Sequence, residues 1–199
     1  PSFYVSRTRQ SWHCFGCNEG GDIFSFVQKI EGMEFREALE LLAEKTGVQL
    51  PAFDSKTSEL RQRLYVVNDL AARFFRAALL TWPQAEVART YLCKRGVDDL
   101  TADLFRLGYA SESWTGLTDT LLKKGCTAEE LIKVGLSIAR EHDQGLYDRF
   151  RHRLMFPIMD LHGRVVGFTG RQLSDEKKEA KYVNTPETTI YHKSSVLYG

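Results

Sequence analysis

The hydrophobic pattern of the chain predicts an extended opening, a helical middle and an extended end. Apolar residues recur at i, i+3, i+4 and i+7 over Phe35–Ala43, which predicts a helix that Gly47 closes. A longer repeat of the same kind predicts a helix that begins at Leu60 and ends before Trp82. Shorter helices are predicted at about residues 84–94, 101–107 and 117–124, with Gly108 closing the second, and Thr127–Glu130 matches a capping box that opens another.

The start of the chain predicts a β-hairpin followed by a short helix. Phe3–Val5 and Trp12–Cys14 are aromatic or β-branched runs separated by turn-forming residues. Asn18–Gly21 predicts a flexible turn, and Asp22 suits the N-cap of a helix that continues through Lys29.

The end of the chain predicts clustered strands. The pattern predicts two strands, at residues 154–159 and 164–171, joined by a glycine-containing loop at residues 160–163. It predicts a third strand at residues 181–184. Pro157 indicates an edge position or a bulge in the first of them. Helices followed by clustered strands are typical of the α+β class, so we predict a helical segment leading into a small mixed β-sheet.

Two folding units are predicted, because residues 51–59 are short, polar and without hydrophobic pattern. This stretch is typical of a linker. We therefore predict a first domain at residues 1–50 and a second at residues 60–199.

Composition narrows the class of protein. The chain has 199 residues, of which 43% are hydrophobic and 27% charged, values that exclude intrinsic disorder and a long coiled coil. It has no apolar run long enough to span a bilayer and no signal-peptide core at its start. Four cysteines are too few for a secreted disulfide scaffold. The expectation is a cytoplasmic protein without a membrane partner.

The net charge of +1 hides one basic segment near the end of the chain. Between Arg149 and Arg171 five arginines face a single acidic residue, Asp160, which gives a local net charge of +4. Arg149, Arg151 and Arg153 alternate along a stretch predicted to be extended, so they would share one face. Such a face binds phosphates or is simply solvated and salt-bridged, and the residues alone leave both interpretations open.

The cysteines at positions 14 and 17 form a Cys-x-x-Cys pair, whose spacing suits metal or redox chemistry. A tight turn at Gly16 would bring both sulfurs to one side, as in a zinc ribbon. Structural zinc needs four ligands, and His13 should point to the opposite face of its strand. The sequence thus predicts half a zinc site, Cys14 and Cys17, in a partial zinc-ribbon β-hairpin with two helices.

A redox role for the same pair is the competing interpretation. It requires Cys-x-x-Cys at the start of a helix in a thioredoxin-like unit, whereas Gly20 and Gly21 separate the pair from the first predicted helix. Cys93 and Cys126 lie in helical contexts without a Cys or His at ligand spacing, which indicates that both are small core or surface residues. Zinc is favoured, and a thiol oxidoreductase remains an alternative.

Several motifs in order resemble bacterial DnaG-type primases over essentially the whole chain. The first group resembles the second half of their zinc-binding domain: Pro1-Ser-Phe-Tyr-Val5, His13-Cys-Phe-Gly-Cys17, Gly20-Gly21 and Phe26. The second group resembles the N-terminal part of their RNA polymerase domain: Tyr91-Leu-Cys-Lys-Arg-Gly96, Gly108-Tyr-Ala110, Tyr147-Asp-Arg-Phe-Arg-His-Arg-Leu-Met-Phe-Pro-Ile158, Gly163-Arg-Val-Val-Gly-Phe-Thr-Gly-Arg171, Lys181-Tyr-Val-Asn-Thr-Pro-Glu-Thr188, Tyr191-His-Lys193 and Leu197-Tyr-Gly199.

The resemblance implies a DNA-directed RNA polymerase that makes short RNA primers on a single-stranded DNA template at the replication fork. Its partners would be the template, the RNA primer and a replicative helicase. Within the resemblance, these residues match positions associated with template binding: Arg95, Arg171, Lys181, Tyr182 and Lys193. Arg149, Arg151 and Arg153 are further candidates, Tyr182 equally suits the core, and Arg95 equally suits the C-terminal end of its helix.

Both ends of the chain depart from the family pattern. In the family, a Cys-x-x-His pair with the remaining zinc ligands precedes the Pro-Ser-Phe stretch. A Toprim domain, whose acidic residues bind Mg²⁺, follows the Leu-Tyr-Gly stretch, and the helicase contact lies further on. We therefore expect no catalytic residue in these 199 residues and no activity from them alone. Inside the chain, Thr169 stands where the family usually has glycine.

A non-catalytic interpretation comes from a different class of protein. A zinc-containing module that binds single-stranded DNA, in a mobile-element protein, would carry the same motifs. A downstream Toprim domain would favour the enzyme, and its absence would favour the module.

Overall fold

The computed structural model describes residues 2–50, 55–140, 145–173, 180–196 and 198. The chain forms two compact units, Pro1–Ser55 and Lys56–Gly199. The division falls inside the stretch predicted as a linker, of which residues 51–54 lie outside the described part. The long helix begins at Ser55, five residues earlier than predicted, since the residues from Ser55 to Glu59 include no proline or glycine that would stop it. The assignment of the two domains stays a prediction.

The first unit opens with a three-stranded antiparallel sheet. Strands β1 (Phe3–Ser6) and β2 (Ser11–Cys14) form the predicted hairpin, and β3 (Glu19–Asp22) pairs with β2. The prediction of a flexible turn at Asn18–Gly21 holds only for Asn18, which lies in a turn with a φ of +58°, and was wrong for residues 19–21, which belong to β3. Glycine permits a close approach here, because a Cβ on Gly20 would lie 2.8 Å from the carbonyl oxygen of Trp12.

Two helices complete the first unit as predicted. Helix α1 (Ile23–Glu31) begins at Asp22, whose carboxylate accepts a hydrogen bond of 2.8 Å from the Ser25 amide. Helix α2 (Phe35–Thr46) ends at Gly47, which has a left-handed conformation. A small aromatic cluster of Phe3, Trp12 and Phe26 packs α1 against the sheet, with ring centroids 5.6 to 5.9 Å apart.

The second unit is organised around α3 (Ser55–Thr81), the predicted long amphipathic helix. Its buried face carries Leu64, Val67, Ala71, Phe75 and Ala78, all less than 2% exposed. The ring of Phe75 packs edge-on against Phe168, with centroids 5.5 Å apart. The helix therefore covers one face of the sheet that contains Phe168.

Shorter helices follow α3, and one of their predicted ends was wrong. They are a 3₁₀ turn at Pro83–Ala85, α4 (Glu86–Lys94), α5 (Asp99–Leu104), α6 (Gly116–Lys123) and α7 (Ala128–Lys133). Gly108 does not close α5, because it pairs in a strand directly against α3, where a Cβ would lie 2.5 Å from Phe75 Cβ. The capping box at Thr127 and Glu130 is confirmed.

Strands from both sides of α6 and α7 build the principal sheet. Its strands are β4 (Gly108–Ala110), β7 (Arg153–Met159), β8 (Val165–Gln172) and β9 (Tyr182–Asn184), in the order β4-β7-β8-β9. A separate hairpin joins β5 (Ser137–Ala139) to β6 (Leu146–Asp148), and a second 3₁₀ turn lies at Lys193–Ser195. The α+β class is confirmed. The sheet was predicted to be mixed, but each strand pairing recorded for the described residues is antiparallel.

Pro157 lies where its missing amide hydrogen is tolerated. Strand β4 pairs only with Arg153–Met155, so Pro157 has no strand neighbour on that side. The register with β8 shifts immediately afterwards, between Ile158 and Met159. Both predicted explanations, an unpaired edge and a bulge, apply.

The two faces of the principal sheet are covered differently. Met155 and Phe168 belong to the core that includes α3. Leu154 and Tyr109 face the other way and pack with buried residues of α4, α5 and the end of α3. This second cover lies over β4 and β7, and it leaves Tyr182 of β9 exposed at the other end of the same face. The open half of the sheet carries the candidate interface.

Candidate nucleic-acid interface

On the open half of the sheet face, two arginines that the sequence predicts to bind the template both contact the ring of one tyrosine. Leu154, Arg171 and Tyr182 are direct neighbours across β7, β8 and β9, so the pleat places their side chains on one face. The guanidinium carbon of Arg171 lies 4.1 Å from the centroid of the Tyr91 ring of α4. The guanidinium carbon of Arg95 lies 5.3 Å from the same centroid. Cation–π attraction thus holds both cations on one ring.

Two further predicted residues extend this surface along β9. Lys181 is exposed, and its carbonyl oxygen accepts a hydrogen bond of 2.9 Å from the Gln172 amide. Tyr182 is 52% exposed and is therefore not part of the core. We call the surface of Tyr91, Arg95, Arg171, Lys181 and Tyr182 the sheet patch. It presents three cations beside an exposed aromatic ring.

Among the residues that the structure describes, the cations of the sheet patch have no acidic neighbour that pairs with them. Within the described ranges, Arg95, Arg171 and Lys181 make no ion pair with a carboxylate. Arg171 donates a hydrogen bond of 3.2 Å to the carbonyl oxygen of Gln172. Unneutralised guanidinium and ammonium groups are the usual partners of nucleic-acid phosphates, and an exposed tyrosine ring is a platform for a base.

Thr169 lies on the same face and fits there without strain. Its hydroxyl donates a hydrogen bond of 2.9 Å to the Asn184 side-chain oxygen across the β8–β9 pair. The threonine in place of the family's usual glycine therefore strengthens this strand pair rather than disturbing the surface.

The expectation that Arg149, Arg151 and Arg153 share one face was wrong. Arg149 donates to the carbonyl oxygen of Gly135 at 2.7 Å, and burial lowers the pKa of its guanidinium. The Arg151 guanidinium stacks on Trp114 at 4.3 Å, and Arg153 is only 4% exposed, with a hydrogen bond of 2.9 Å to the carbonyl oxygen of Ala180. The cause is that residues 149–152 connect β6 to β7 and are not part of a strand, so the alternation of an extended chain does not apply to them. His152, with a φ of +50°, turns the backbone immediately before β7 begins.

Lys193 lies outside the sheet patch but close to β8. It is exposed, and its amide donates a hydrogen bond of 3.0 Å to the carboxylate of Glu187. Two residues earlier, the ring of Tyr191 packs against β8, where a Cβ on Gly167 would lie 3.3 Å from it. Lys193 is thus carried on the segment that follows β9.

The Cys-x-x-Cys pair forms a knuckle in the first unit. Cys14 ends β2, and the Cys17 amide, the Gly16 amide and the Cys17 thiol all donate to its sulfur, which lowers the pKa of the Cys14 thiol. The two sulfurs are therefore neighbours, as the spacing predicts, and both fit positions of one tetrahedral zinc site. Among the residues that the structure describes, no group of three or more His, Cys, Asp or Glu side chains could hold a metal ion.

The topology around the knuckle disfavours a redox role. A thioredoxin-like pair opens a helix after a parallel strand, whereas here β3 follows the pair and runs antiparallel to β2. His13 and Cys14 alternate along β2, so the histidine ring lies on the opposite face, against Phe15 at 4.6 Å. The thiols are arranged as in a metal-binding hairpin.

Sequence reasoning missed Tyr91, which organises the sheet patch. The available signal was its spacing from Arg95, since residues four apart lie on one side of a helix. Its contact with Arg171 joins residues 80 positions apart and had no local signal.

No helix in the described part of the chain is long and apolar enough to cross a membrane.

Two family models match the chain. A CHC2 zinc finger model matches residues 1–58, and a model of the N-terminal domain of the DNA primase catalytic core matches residues 74–199. The DNA primase of Mycobacterium leprae is 45% identical over 205 residues, covering 100% of this chain and 32% of that protein. The chain therefore spans about a third of the length of the curated relatives it matches.

Solved structures of DnaG primases are similar to the chain. The RNA polymerase domain of Mycobacterium tuberculosis primase DnaG, in complex with a double-stranded DNA oligomer with a 6-nucleotide overhang, has a TM-score of 0.64 and 46% identity. The match covers 68% of this chain and 41% of that one. A DnaG primase catalytic domain bound to single-stranded DNA has a TM-score of 0.62 and 39% identity, covering 71% of this chain and 43% of that one.

Proposed function

The chain belongs to the family of DnaG-type DNA primases, and from this premise we propose that it is the part of a primase that holds the single-stranded DNA template. The whole protein would be a DNA-directed RNA polymerase that synthesises short RNA primers in the cytoplasm during replication. The observation that carries the proposal is the pair of guanidinium groups on Tyr91, next to the exposed ring of Tyr182.

Template binding by the sheet patch follows from its chemistry. Arg95, Arg171 and Lys181 would neutralise successive phosphates, and Tyr182 would stack on one base without selecting its identity. Lys193 would add a phosphate contact from the segment after β9. Because Tyr91 holds two of the guanidinium groups in place, little side-chain freedom is lost when the strand binds.

The arginine triplet takes different parts in this proposal. The guanidinium groups of Arg149 and Arg153 bind backbone carbonyls inside the fold, so their role is to support β7 rather than to touch DNA. Arg151 lies on Trp114 and Tyr147, outside the sheet patch, and would contribute only long-range attraction.

Zinc belongs in the first unit in this proposal. Cys14 and Cys17 would hold the ion as two of its four ligands, and zinc would supply a structural cross-link there. The amides of Gly16 and Cys17 that donate to the Cys14 sulfur stabilise its thiolate form.

Catalysis is not proposed for any residue of this chain. Mg²⁺ supplies the phosphoryl-transfer chemistry of such polymerases, but the described residues offer no acidic cluster that fits it. The same proposal includes contacts with the RNA primer and the helicase. It also includes two domains, at residues 1–50 and 60–199, joined by a linker at residues 51–59.

The salt dependence of binding tests the proposal. Fluorescence anisotropy with a labelled single-stranded oligodeoxynucleotide should show weak binding whose log K falls with log[salt] at a slope of about −3, if four phosphates are neutralised. The same oligonucleotide as a blunt duplex should bind less tightly, because its bases cannot stack on Tyr182. Salt-independent binding, or no binding at low salt, would contradict the proposal.

A further inference from the structure

Arg153 lies on the face of the principal sheet opposite to the sheet patch. It is the first residue of β7, where it pairs with Ala110 of β4 and Gln172 of β8, and it is 4% exposed. Its side chain shares a face with that of Met155, two residues further along β7, which belongs to the core that includes α3. Leu154 and the sheet patch face the other way, so the side chain of Arg153 does not reach a DNA strand bound there.

The guanidinium group of Arg153 binds carbonyl oxygens at the start of β9. Its Nη1 donates a hydrogen bond of 2.9 Å to the carbonyl oxygen of Ala180, and the carbonyl oxygen of Lys181 lies 3.5 Å from the same nitrogen. The carbonyl oxygen of Gly170 in β8 lies 3.4 Å from it. The side chain therefore crosses β8 and holds the residues that lead into β9.

Gly170 leaves the space in which this side chain crosses β8. A Cβ at Gly170 would lie 3.0 Å from Arg153 Cδ and 3.0 Å from Phe150 Cδ1, which is closer than ordinary van der Waals contact. A larger residue at position 170 would therefore push the aliphatic stem of Arg153 away from its place. The arginine and the glycine, on neighbouring strands, form one arrangement.

The start of β9 depends on contacts of this kind. The strand is three residues long, and in the described part of the sheet it pairs only with β8. A short edge strand opens locally at a low free energy. Because Lys181 and Tyr182 are exposed, packing of their own side chains restrains them little. The positions of these side chains follow from the backbone that Arg153 holds.

We propose that Arg153 is a positioning residue for template binding, which holds Lys181 and Tyr182 where a phosphate and a base meet them. This inference rests on the template-binding function proposed above. A guanidinium suits the role, because its planar array of N–H donors reaches several carbonyl oxygens at once. A lysine ammonium is a compact charge on a flexible stem, so the two cations are not equivalent at this position.

Arg153→Lys tests the proposal, because it keeps the charge and removes the planar array of donors. Fluorescence anisotropy of the whole chain with labelled oligodeoxythymidine should show binding weakened about five- to tenfold. In a chain that already carries Lys181→Ala and Tyr182→Ala, the same substitution should weaken binding less than about twofold, because the residues that it positions are absent. In a chain that carries Arg171→Ala, the full effect should remain.

Arg149→Lys is the matched control, since Arg149 also donates to a backbone carbonyl oxygen inside the fold, that of Gly135. Both substitutions should lower the free energy of unfolding in urea, and only Arg153→Lys should weaken DNA binding. Hydrogen–deuterium exchange without DNA is a second measurement. In Arg153→Lys the amides of β9 should exchange faster, and those of β5 and β6 should remain unchanged.

If Arg153→Lys does not fold, Gly170→Ala displaces the same side chain and should weaken binding in the same way. Unchanged binding, unchanged exchange in β9, or a full loss of binding that persists without Lys181 and Tyr182 would overturn the proposal. Failure of the proposed function has a different result, because the original chain itself would then bind no single-stranded DNA. Faster exchange in β9 would in that case make Arg153 a structural residue only.

Discussion

Tyr91 shows how a single side chain organises a binding surface. Its ring packs against the buried cluster under α4, and its exposed side receives the guanidinium groups of Arg95 and Arg171. Each such contact contributes about 0.5–1 kcal/mol at an exposed site. The ring thus orders two long side chains before a ligand arrives. At the scale of the residue, different side chains of the sheet patch carry the two proposed interactions: the cations bind phosphates, and Tyr182 stacks on a base.

That separation predicts different effects for two substitutions. Arg171→Ala should weaken binding of single-stranded DNA and reduce the salt slope by about 0.7, because one phosphate contact is lost. Tyr182→Ala should weaken binding by about 1–3 kcal/mol with no change in slope, because stacking releases no counterions. Anisotropy titrations at several salt concentrations measure both quantities.

Lys123→Ala is the control for these variants, since it removes an exposed cation of α6, a helix that contributes no residue to the sheet patch. It should change neither quantity appreciably. A change of slope with Tyr182→Ala, or an unchanged slope with Arg171→Ala, would refute the assignment of roles.

At the scale of the element, α7 is attached to α3 through its capping box. The Glu130 carboxylate accepts from the Thr127 amide at 2.8 Å and from Arg63 Nε of α3 at 2.8 Å. Arg63 and the Thr127 amide lower the pKa of Glu130. The same carboxylate therefore takes part in the N-terminal cap of α7 and binds Arg63 of α3.

The lowered pKa gives a pH-dependent prediction. Since the folded state ionises Glu130 more readily than the unfolded state, its contribution to stability is present above the unfolded pKa and is lost as the pH falls through the folded pKa. Glu130→Gln keeps the capping geometry but removes the charge. It should lower the free energy of unfolding by about 0.5–1 kcal/mol at pH 7, with the difference vanishing in acid.

Urea unfolding of the original chain and of Glu130→Gln, from pH 7 down into acid, measures this difference in the free energy of unfolding. Glu129→Gln, on the exposed side of the same helix, should have little effect at any pH, because its ion pair with Lys133 is solvated. A Glu130→Gln deficit that persists unchanged in acid would assign the loss to geometry rather than to charge.

At the scale of the whole molecule, the chain has two units with separate cores. The first depends on a three-residue aromatic cluster and a knuckle of two thiols, whereas the second has an extensive core around α3. A small unit with few buried residues is the kind that a metal ion stabilises.

Zinc should therefore protect only the first unit. Hydrogen–deuterium exchange with added Zn²⁺ should slow in β1–β3 and remain unchanged in β7 and β8. Cys14→Ser together with Cys17→Ser should abolish the protection, whereas Cys93→Ser, at an exposed cysteine of α4, should retain it. Protection that spreads to the principal sheet, or that survives the double substitution, would contradict the proposed ligands.

The local elements of this protein follow from its sequence. The period of apolar residues predicts α2 and α3. Asp22 predicts the start of α1, Gly47 predicts the end of α2, and Thr127 with Glu130 predicts the start of α7. In each case the deciding interactions join residues a few positions apart. The same holds for the knuckle, because the spacing of Cys14 and Cys17 alone brings their sulfurs together.

Tertiary structure decided which charged side chains face solvent. Arg149 and Arg153 have the same local pattern as an exposed face, yet distant carbonyl oxygens at Gly135 and Ala180 bind them inside the fold. Arg171 is left open because α4 covers only half of the sheet and supplies Tyr91 from 80 residues away. A long side chain takes its direction from whatever the fold places around it, and those neighbours lie far away in the sequence.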